Sequence, residues 1–424
     1  MKSVKNFDEV SRVYTEDEAV SEAKRCISCK NPLCVKACPI SQDVPGYVAR
    51  ISEGDFEGAL KIIMKDNPFP GSCGRICPHP CEGRCILKKK GNAISIMRLK
   101  RFVADRVDPF HSGIKRGKPT GKNVGVIGSG PAGLSSAYHL ALSGYSPVVY
   151  ESFKTAGGML TLGIPEYRLP RAVVKKEIEF IKSLGVKIKT GVKVGSLDEL
   201  NHDAIFIGVG AHLPMQLNLE GMELSGIEYG ISFLKSVNQN KKPKIGKKIA
   251  VIGGGSVAID ASRTALRLGG EEVVVLYRRS SGEMPAYKEE IEAAEEEGIQ
   301  IHYLTSPVRV LGENGKVKAL ECIRNELGEC DSRGRCRPVP LKGSEFTIDV
   351  DTVIPAISQI PDLSWVPEGK LEITKNRTLS ADQNTASTKM KGIFAGGDCV
   401  SGPATVVDAI AAGKRAASSI DRYF

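Results

Sequence analysis

The chain has 424 residues, a formal net charge of +10, and 41% apolar against 25% charged residues. That balance suits a globular protein of two or three domains and excludes a disordered or fibrous chain. No run of eighteen apolar residues occurs and the start, MKSVKNFDEVSRVYTEDEA, is polar, so neither a membrane span nor a secretory signal is expected and the chain reads as cytoplasmic.

In chain order, residues 1–118 read as mostly helical. EDEAVSEAKRC and FEGALKIIMKD carry helical apolar spacing, interrupted by Pro-rich cysteine loops. Eight of the twelve cysteines lie here, in two runs. The first is Cys26-x2-Cys29-x4-Cys34-x3-Cys38, followed by Pro39. The second is Cys73-x3-Cys77-x3-Cys81-x3-Cys85. Zinc sites usually pair two close CxxC units across a spacer, and disulfide frameworks belong to secreted chains. A run of four ending in Cys-Pro instead resembles the ligation pattern of bacterial-type [4Fe–4S] proteins, so all eight cysteines are candidate metal ligands.

Charge concentrates in the same region. Residues 1–118 hold 22 Lys+Arg against 14 Asp+Glu; residues 119–424 hold 37 against 35. A basic domain often marks nucleic acid or an acidic partner. Anionic clusters with their thiolates would offset part of this excess, so no nucleic-acid binding is expected. Lys88, Lys89 and Lys90 read as a solvated turn, with a face for an acidic redox partner as the alternative.

After a Gly- and Lys-rich linker, HSGIKRGKPTGKN, short β-branched runs alternate with Gly-rich turns and helical stretches, the pattern of a doubly wound α/β protein. At 123–134, NVGVIGSGPAGL runs a strand into Gly128-x-Gly130-Pro131-Ala132-Gly133 and then a helix. The first glycine permits the tight turn, the second lets a pyrophosphate approach the backbone, and the third lets helix and strand pack. Glu151 ends the next strand, 18 residues after Gly133, where a ribose-binding acid is expected.

A second loop, IAVIGGGSVA (249–258), supplies Gly253, Gly255, Ser256, Val257 and Ala258, again between strand and helix. The following strand ends in Arg278-Arg279 rather than an acid. Guanidinium groups there suit the 2′-phosphate of NADP, and NADPH is expected over NADH. No CxxC follows the first unit, so Cys322, Cys330, Cys336 and Cys399 are expected to be ordinary thiols.

Near the end, GIFAGGDCVSGPATVVDAIAAGKRAA places Gly397 and Asp398 after an apolar strand, with a helix beginning near Ala404. This segment resembles the second flavin-binding segment of the two-dinucleotide flavoproteins. That resemblance implies an Asp398 that binds the flavin's ribityl–phosphate region and a helix, entered at Thr405 and Val406, whose positive end faces the ring.

With GGMLTLGIPEYRLP (157–170), RRSSGEMPAYKEE (278–290) and VDTVIPAISQIPD (350–362), the chain resembles the small (β) subunit of NADPH-dependent glutamate synthase over nearly its whole length. It is also similar to the N-terminal half of dihydropyrimidine dehydrogenase and to the large subunit of NADH-dependent ferredoxin:NADP oxidoreductase. The fold implied is two Rossmann-like dinucleotide-binding domains preceded by a helical iron–sulfur domain. The expected boundaries are 1–118 for the clusters, 119–245 and 358–424 for FAD, and 246–357 for NADP(H). The implied cofactors are FAD, two [4Fe–4S] clusters and NADP(H). The implied partner is a large catalytic subunit of glutamate synthase, bifurcating or hydrogenase type, or ferredoxin.

In these relatives the cysteine runs interleave. Carried over, Cys26, Cys29, Cys34 and Cys85 would hold one cluster, and Cys38, Cys77 and Cys81 three corners of the other. The fourth corner is usually Glu or Gln, where this chain has Lys100; ammonium has no lone pair. Either Cys73 substitutes, or a water or nearby group does, or that cluster is labile. Gly158 and Met159 are expected cofactor contacts, and Glu166 and Arg168, the candidate catalytic residues, are expected to line the flavin–nicotinamide region. A cluster protein that only senses redox state is the alternative of a different class.

Overall fold

The computed structural model describes residues 6–332, 334–366 and 369–424. Two compact units emerge. One comprises residues 9–161, 168–211 and 360–424; the other centres on 212–359 and includes Leu162–Tyr167.

The first unit opens with short helices, among them Glu16–Lys24, Val44–Ser52, Phe56–Met64, Pro70–Ile76 and Ile96–Arg106. Their starts are chemically marked. Thr15 and Glu18 form a reciprocal capping box. Asp43 accepts from the Gly46 N–H at 3.0 Å and Asp55 from the Gly58 N–H at 2.8 Å. The buried faces of these helices meet around Tyr47, Ile51, Leu60, Ile63 and Leu99, all fully buried. Lys88, Lys89 and Lys90 are exposed, at the end of a 3₁₀ turn, Ile86–Lys90.

A five-stranded parallel sheet follows in the same unit. Its order is Ile393–Ala395, Ala204–Ile207, Asn123–Ile127, Ser146–Glu151, Lys187–Thr190. Val124 to Ile127 are all buried, as a central parallel strand covered on both faces requires. Helix Val406–Tyr423 crosses helix Pro131–Leu142 closely at Gly413, where a Cβ would lie 2.1 Å from the Ala132 carbonyl.

Several contacts tie the helical part to this sheet domain. Tyr138 Oη donates to the Met64 carbonyl at 2.6 Å. Lys414 pairs with Asp66 at 2.5 Å. Glu177, on helix Arg171–Ser183, accepts from the Gly71 and Ser72 N–H groups at 2.7 and 3.0 Å and so caps helix Pro70–Ile76 from outside. Burial pushes the Glu177 carboxyl up to about 7, against the pull of these bonds.

The second unit has a four-stranded parallel sheet, Thr352–Pro355, Lys248–Ile252, Glu272–Leu276, Gln300–His302. Helix Gly230–Asn238 packs Phe233 and Leu234 into its core with Val251, Ile259 and Val275, although the sequence reading places 212–245 with the first nucleotide-binding domain. A second sheet, antiparallel, is built on the long strand Lys316–Cys330, paired with Thr305–Glu313, Cys336–Pro340 and Phe346–Asp349. Val317, Leu320 and Cys322 face its core, the alternation being reset by a register shift after Val317. Among the described residues no helix is long and apolar enough to cross a membrane.

Candidate functional site

The two cysteine runs lie on short helices and turns, and the packing sorts them into two groups. Cys26 is influenced electrostatically by Cys29 and Cys85, and Cys34 by Cys26 and Cys85. Cys77 and Cys81 each feel Cys38 and Lys100, whereas Cys73 feels Cys77 and Lys100. All eight thiols are free. Burial raises Cys34 to about 11 and Cys81 to about 12, so without iron these sites hold neutral thiols, and loading a cluster displaces their protons.

No group of three or more His, Cys, Asp or Glu among the described residues closes around a single ion. A cuboidal cluster sets its thiolates further apart than the ligands of one ion. Lys100 is buried, 7% exposed, on helix Ile96–Arg106. That helix meets helix Pro70–Ile76 at Gly74, whose Cβ would lie 2.6 Å from the Arg101 Cα. Burial lowers the Lys100 pKa, but Cys73, Cys77, Cys38 and Cys81 outweigh it once they carry charge, and the net shift is upward. The Lys100 position offers no lone pair to iron. The Cys73 thiol, buried beside it, faces Asn67 Oδ1 at 3.8 Å.

The first glycine loop divides its labour as the chemistry demands. Gly128 has φ +99°, and a Cβ on it would meet the Gly208 carbonyl at 2.5 Å. A Cβ on Gly133 would lie 1.9 Å from the Gly128 carbonyl. A Cβ on Gly130 would reach only the Gly158 Cα, at 3.9 Å. So the space at the second glycine is open, as a pyrophosphate needs. Pro131 and Ala132 begin the helix, whose free N–H groups face that opening.

Glu151 is 5% exposed and holds this loop. It accepts from the Ser129 N–H at 3.0 Å and from the Phe153 N–H at 2.8 Å. Gly158 has φ +55° and backs against Gly130, and Met159 starts the short helix Met159–Leu162.

Gly397, φ +77°, packs against the Ala132 side chain, and Asp398 begins a short helix, Asp398–Ser401. The longer helix then starts at Val406 with Thr405 as its N-cap, boxed with Asp408. Burial pushes the Asp398 carboxyl up to about 7; the Ala404 N–H works against this and Asp408 with it. Glu166 is exposed in one unit and Arg168 half-buried in the other.

The second loop repeats the design. Gly253 has φ +149°, with the Ala356 carbonyl 2.4 Å from its would-be Cβ. Nothing lies within 4 Å of a Cβ on Gly255. Ser256, Val257 and Ala258 form the first turn of helix Ser256–Arg267. Arg278 is exposed and Arg279 buried, 8% exposed. The Arg279 Nε donates to the Cys336 carbonyl at 2.6 Å, and Glu283 accepts from the Cys336 N–H at 2.8 Å.

Here the structure corrects an expectation. Cys330 and Cys336 are not ordinary thiols but a disulfide, closing the hairpin between Lys316–Cys330 and Cys336–Pro340. Their spacing, C-x5-C, gave no cue; antiparallel pairing brings them opposite each other. Cys322 and Cys399 are free and buried.

Sequence reasoning also missed a buried ion network. Glu297 receives both Arg263 and Arg267 as two-point forks, at 2.6 to 3.0 Å. Tyr167 lies under the Arg267 guanidinium at 3.9 Å. The acid–Arg spacings of 30 and 34 residues leave no local signal.

Residues 3–110 match the family described as dihydropyrimidine dehydrogenase domain II, 4Fe–4S cluster. Residues 122–413 match the family described as pyridine nucleotide-disulphide oxidoreductase. The subunit beta of NADP(+)-dependent formate dehydrogenase from Moorella thermoacetica is 43% identical, covering 92% of this chain and 59% of that one. The subunit beta of NADPH-Fe(3+) oxidoreductase from Geobacter sulfurreducens is 39% identical, covering 100% and 68%. The small chain of NADPH glutamate synthase from Escherichia coli is 34% identical, covering 98% and 93%. The chain thus spans only about three fifths of the formate dehydrogenase subunit.

Among solved structures, Mycobacterium tuberculosis FprA in complex with NADPH has a TM-score of 0.62 at 18% identity, covering 72% of this chain and 85% of that one. Lactococcus lactis thioredoxin reductase has 0.55 at 20%, covering 71% and 98%. At such identities the likeness is one of fold. Matched along its length by both family descriptions and by relatives above 30% identity, the chain belongs to the glutamate synthase small-chain family, an iron–sulfur domain joined to a two-dinucleotide oxidoreductase fold.

Proposed function

We propose that this chain is the electron-input subunit of a larger redox enzyme, an NADPH-dependent oxidoreductase carrying FAD and two [4Fe–4S] clusters. The observation that carries the reading is the pair of glycine loops with open second positions, Gly130 and Gly255, in one chain with two separate groups of cysteines.

When bound, the flavin would accept a hydride from the nicotinamide and release electrons singly to the clusters. The chain's own work is holding and screening. Gly128, Gly130 and Gly133 shape the cradle for the flavin pyrophosphate, and Glu151 fixes that loop through Ser129. Gly397, Asp398 and the N-terminus of the Val406 helix form the second flavin contact, the positive helix end favouring negative charge. Gly253, Gly255 and the following turn take the NADP(H) pyrophosphate, and Arg278 and Arg279 take its 2′-phosphate. Cys26, Cys29, Cys34 and Cys85 hold one cluster. Cys38, Cys77 and Cys81 hold three corners of the other, with the Lys100 ammonium beside it as a fixed positive charge that favours its reduced form. Glu166 and Arg168 remain the candidates for lining the nicotinamide region. The domain roles follow the sequence reading, 1–118 for the clusters, 119–245 with 358–424 for FAD and 246–357 for NADP(H), except that 212–245 packs with the second unit.

The electrons pass to or from a large partner subunit. The formate dehydrogenase subunit, at 43% identity against 34% for the glutamate synthase chain, favours a dehydrogenase-type partner as a second reading beside the glutamate-forming one. Anaerobic mixing with NADPH tests the core of the proposal. Flavin absorbance should bleach rapidly, with cluster signals following; material reconstituted with flavin and iron that does not bleach rejects it. Recovery of the chain with one large polypeptide separates the partner readings.

A further inference from the structure

The disulfide Cys330–Cys336 lies against the arginine side of the second nucleotide loop. Strand pairing is regular from Asn325↔Pro340 to Leu327↔Pro338, then breaks register before Cys330↔Cys336. The last rung is therefore offset from the regular ladder by an irregularity, and the S–S bond closes it as well. That rung carries the Cys336 backbone, whose carbonyl receives Arg279 Nε at 2.6 Å and whose N–H reaches Glu283 at 2.8 Å. Holding Nε fixes the plane in which the two outer guanidinium nitrogens lie. Arg335, one residue before the rung, adds positive charge felt at Arg278.

Cys330 is exposed and Cys336 half-buried, so a small thiol can reach the bond. Exposed disulfides are the labile ones, and those in reducing compartments are usually transient or redox-sensing.

We propose that Cys330 and Cys336 form a thiol–disulfide switch on the 2′-phosphate end of the NADP(H) site, tightening it when oxidised and loosening it when reduced. The proposal rests on the reading that Arg278 and Arg279 receive that phosphate. In the reducing direction, a thiolate of a small dithiol attacks one sulfur and forms a mixed disulfide. Its second thiol then displaces the other bond. The protein gains two electrons and two protons as two thiols, and the dithiol leaves as its disulfide. In the oxidising direction a small-molecule disulfide takes up the same electrons and protons. Opening the bond leaves the tip to one irregular rung and the Asp331–Arg335 bonds, which loosens the Cys336 carbonyl that anchors Arg279.

The test uses the full chain, equilibrated without oxygen at graded ratios of reduced to oxidised dithiothreitol. Alkylation followed by mass spectrometry reports the state of Cys330 and Cys336, and equilibrium titration reports affinity for NADP+ and NAD+. Reduction should weaken NADP+ on the order of tenfold, a part of what closing so short a loop can contribute, and leave NAD+ unchanged. Cys330→Ser and Cys336→Ser should hold the weaker NADP+ affinity at every ratio. Equal NADP+ affinity in both states, or two free thiols at every ratio, overturns the switch. If Arg278→Ala and Arg279→Ala still weaken NADP+ in that case, the phosphate reading survives and only the switch falls. If those variants leave NADP+ affinity unchanged, the phosphate reading fails and the switch with it.

Discussion

Adding one methyl group at Gly255 separates a cofactor role from a folding role. Gly255 has φ −89°, which alanine adopts freely, and its would-be Cβ has no neighbour within 4 Å. Gly255→Ala should therefore change the stability of the cofactor-free chain by less than about 1 kcal/mol. In the complex that methyl would stand where the pyrophosphate approaches the backbone. Overfilling a fitted site costs about 1–3 kcal/mol, so NADP+ binding should weaken by roughly 5- to 150-fold.

Gly254 is the control. Its Cβ would lie 2.4 Å from the Tyr277 ring, so Gly254→Ala should destabilise the fold before any ligand is added. Equilibrium titration with NADP+ and thermal unfolding of the cofactor-free chain read the two effects. Wild-type affinity in Gly255→Ala would refute the placement of the pyrophosphate at this loop.

Three other outcomes follow from the same geometry. Cys81→Ser should remove roughly half of the bound iron, whereas Cys73→Ser, whose thiol is turned to Asn67, should retain it; iron analysis of anaerobic protein decides. Lys100→Met removes the buried ammonium among the second group of cysteines and should lower the potential of that cluster alone, read by redox titration under electron paramagnetic resonance; an unmoved potential rejects the electrostatic role. Burial raises the Glu297 carboxyl, but the Arg267 and Arg263 forks outweigh it and hold it at about 2, below its ordinary 4.5. Its stabilisation is thus present above about pH 4.5 and lost as pH falls toward 2, about 3 kcal/mol in all. Glu297→Gln should cost the 212–359 unit about that much at pH 7 and flatten its acid dependence. Unchanged hydrogen-exchange protection in helix Ser256–Arg267 at pH 7 would count against it.

Much of the site was readable because its grammar is local. The helices EDEAVSEAK and FEGALKIIM fall where apolar spacing puts them. The glycines act through their own φ angles and nearest backbone, so a short motif carries the information. Other features were invisible for the opposite reason. The antiparallel sheet around Lys316–Cys330 is an exception: Asn314-Gly315, both at positive φ, marks its hairpin with strand Thr305–Glu313 in the sequence itself. Asp398 opens a helix of its own because the Gly397 φ of +77° turns the chain before Thr405.

From residues alone came the chemistry: thiols in runs, glycines at strand ends, arginines where an acid would serve NAD. Each depends on neighbours a few positions away, and such spacing survives any packing. Tertiary structure decided the pairings. It set Cys85 beside Cys26 and Cys34, joined Cys330 to Cys336, and brought Glu297 to Arg263 and Arg267. These contacts form only when helices and strands pack, because burial and close approach are properties of the folded chain.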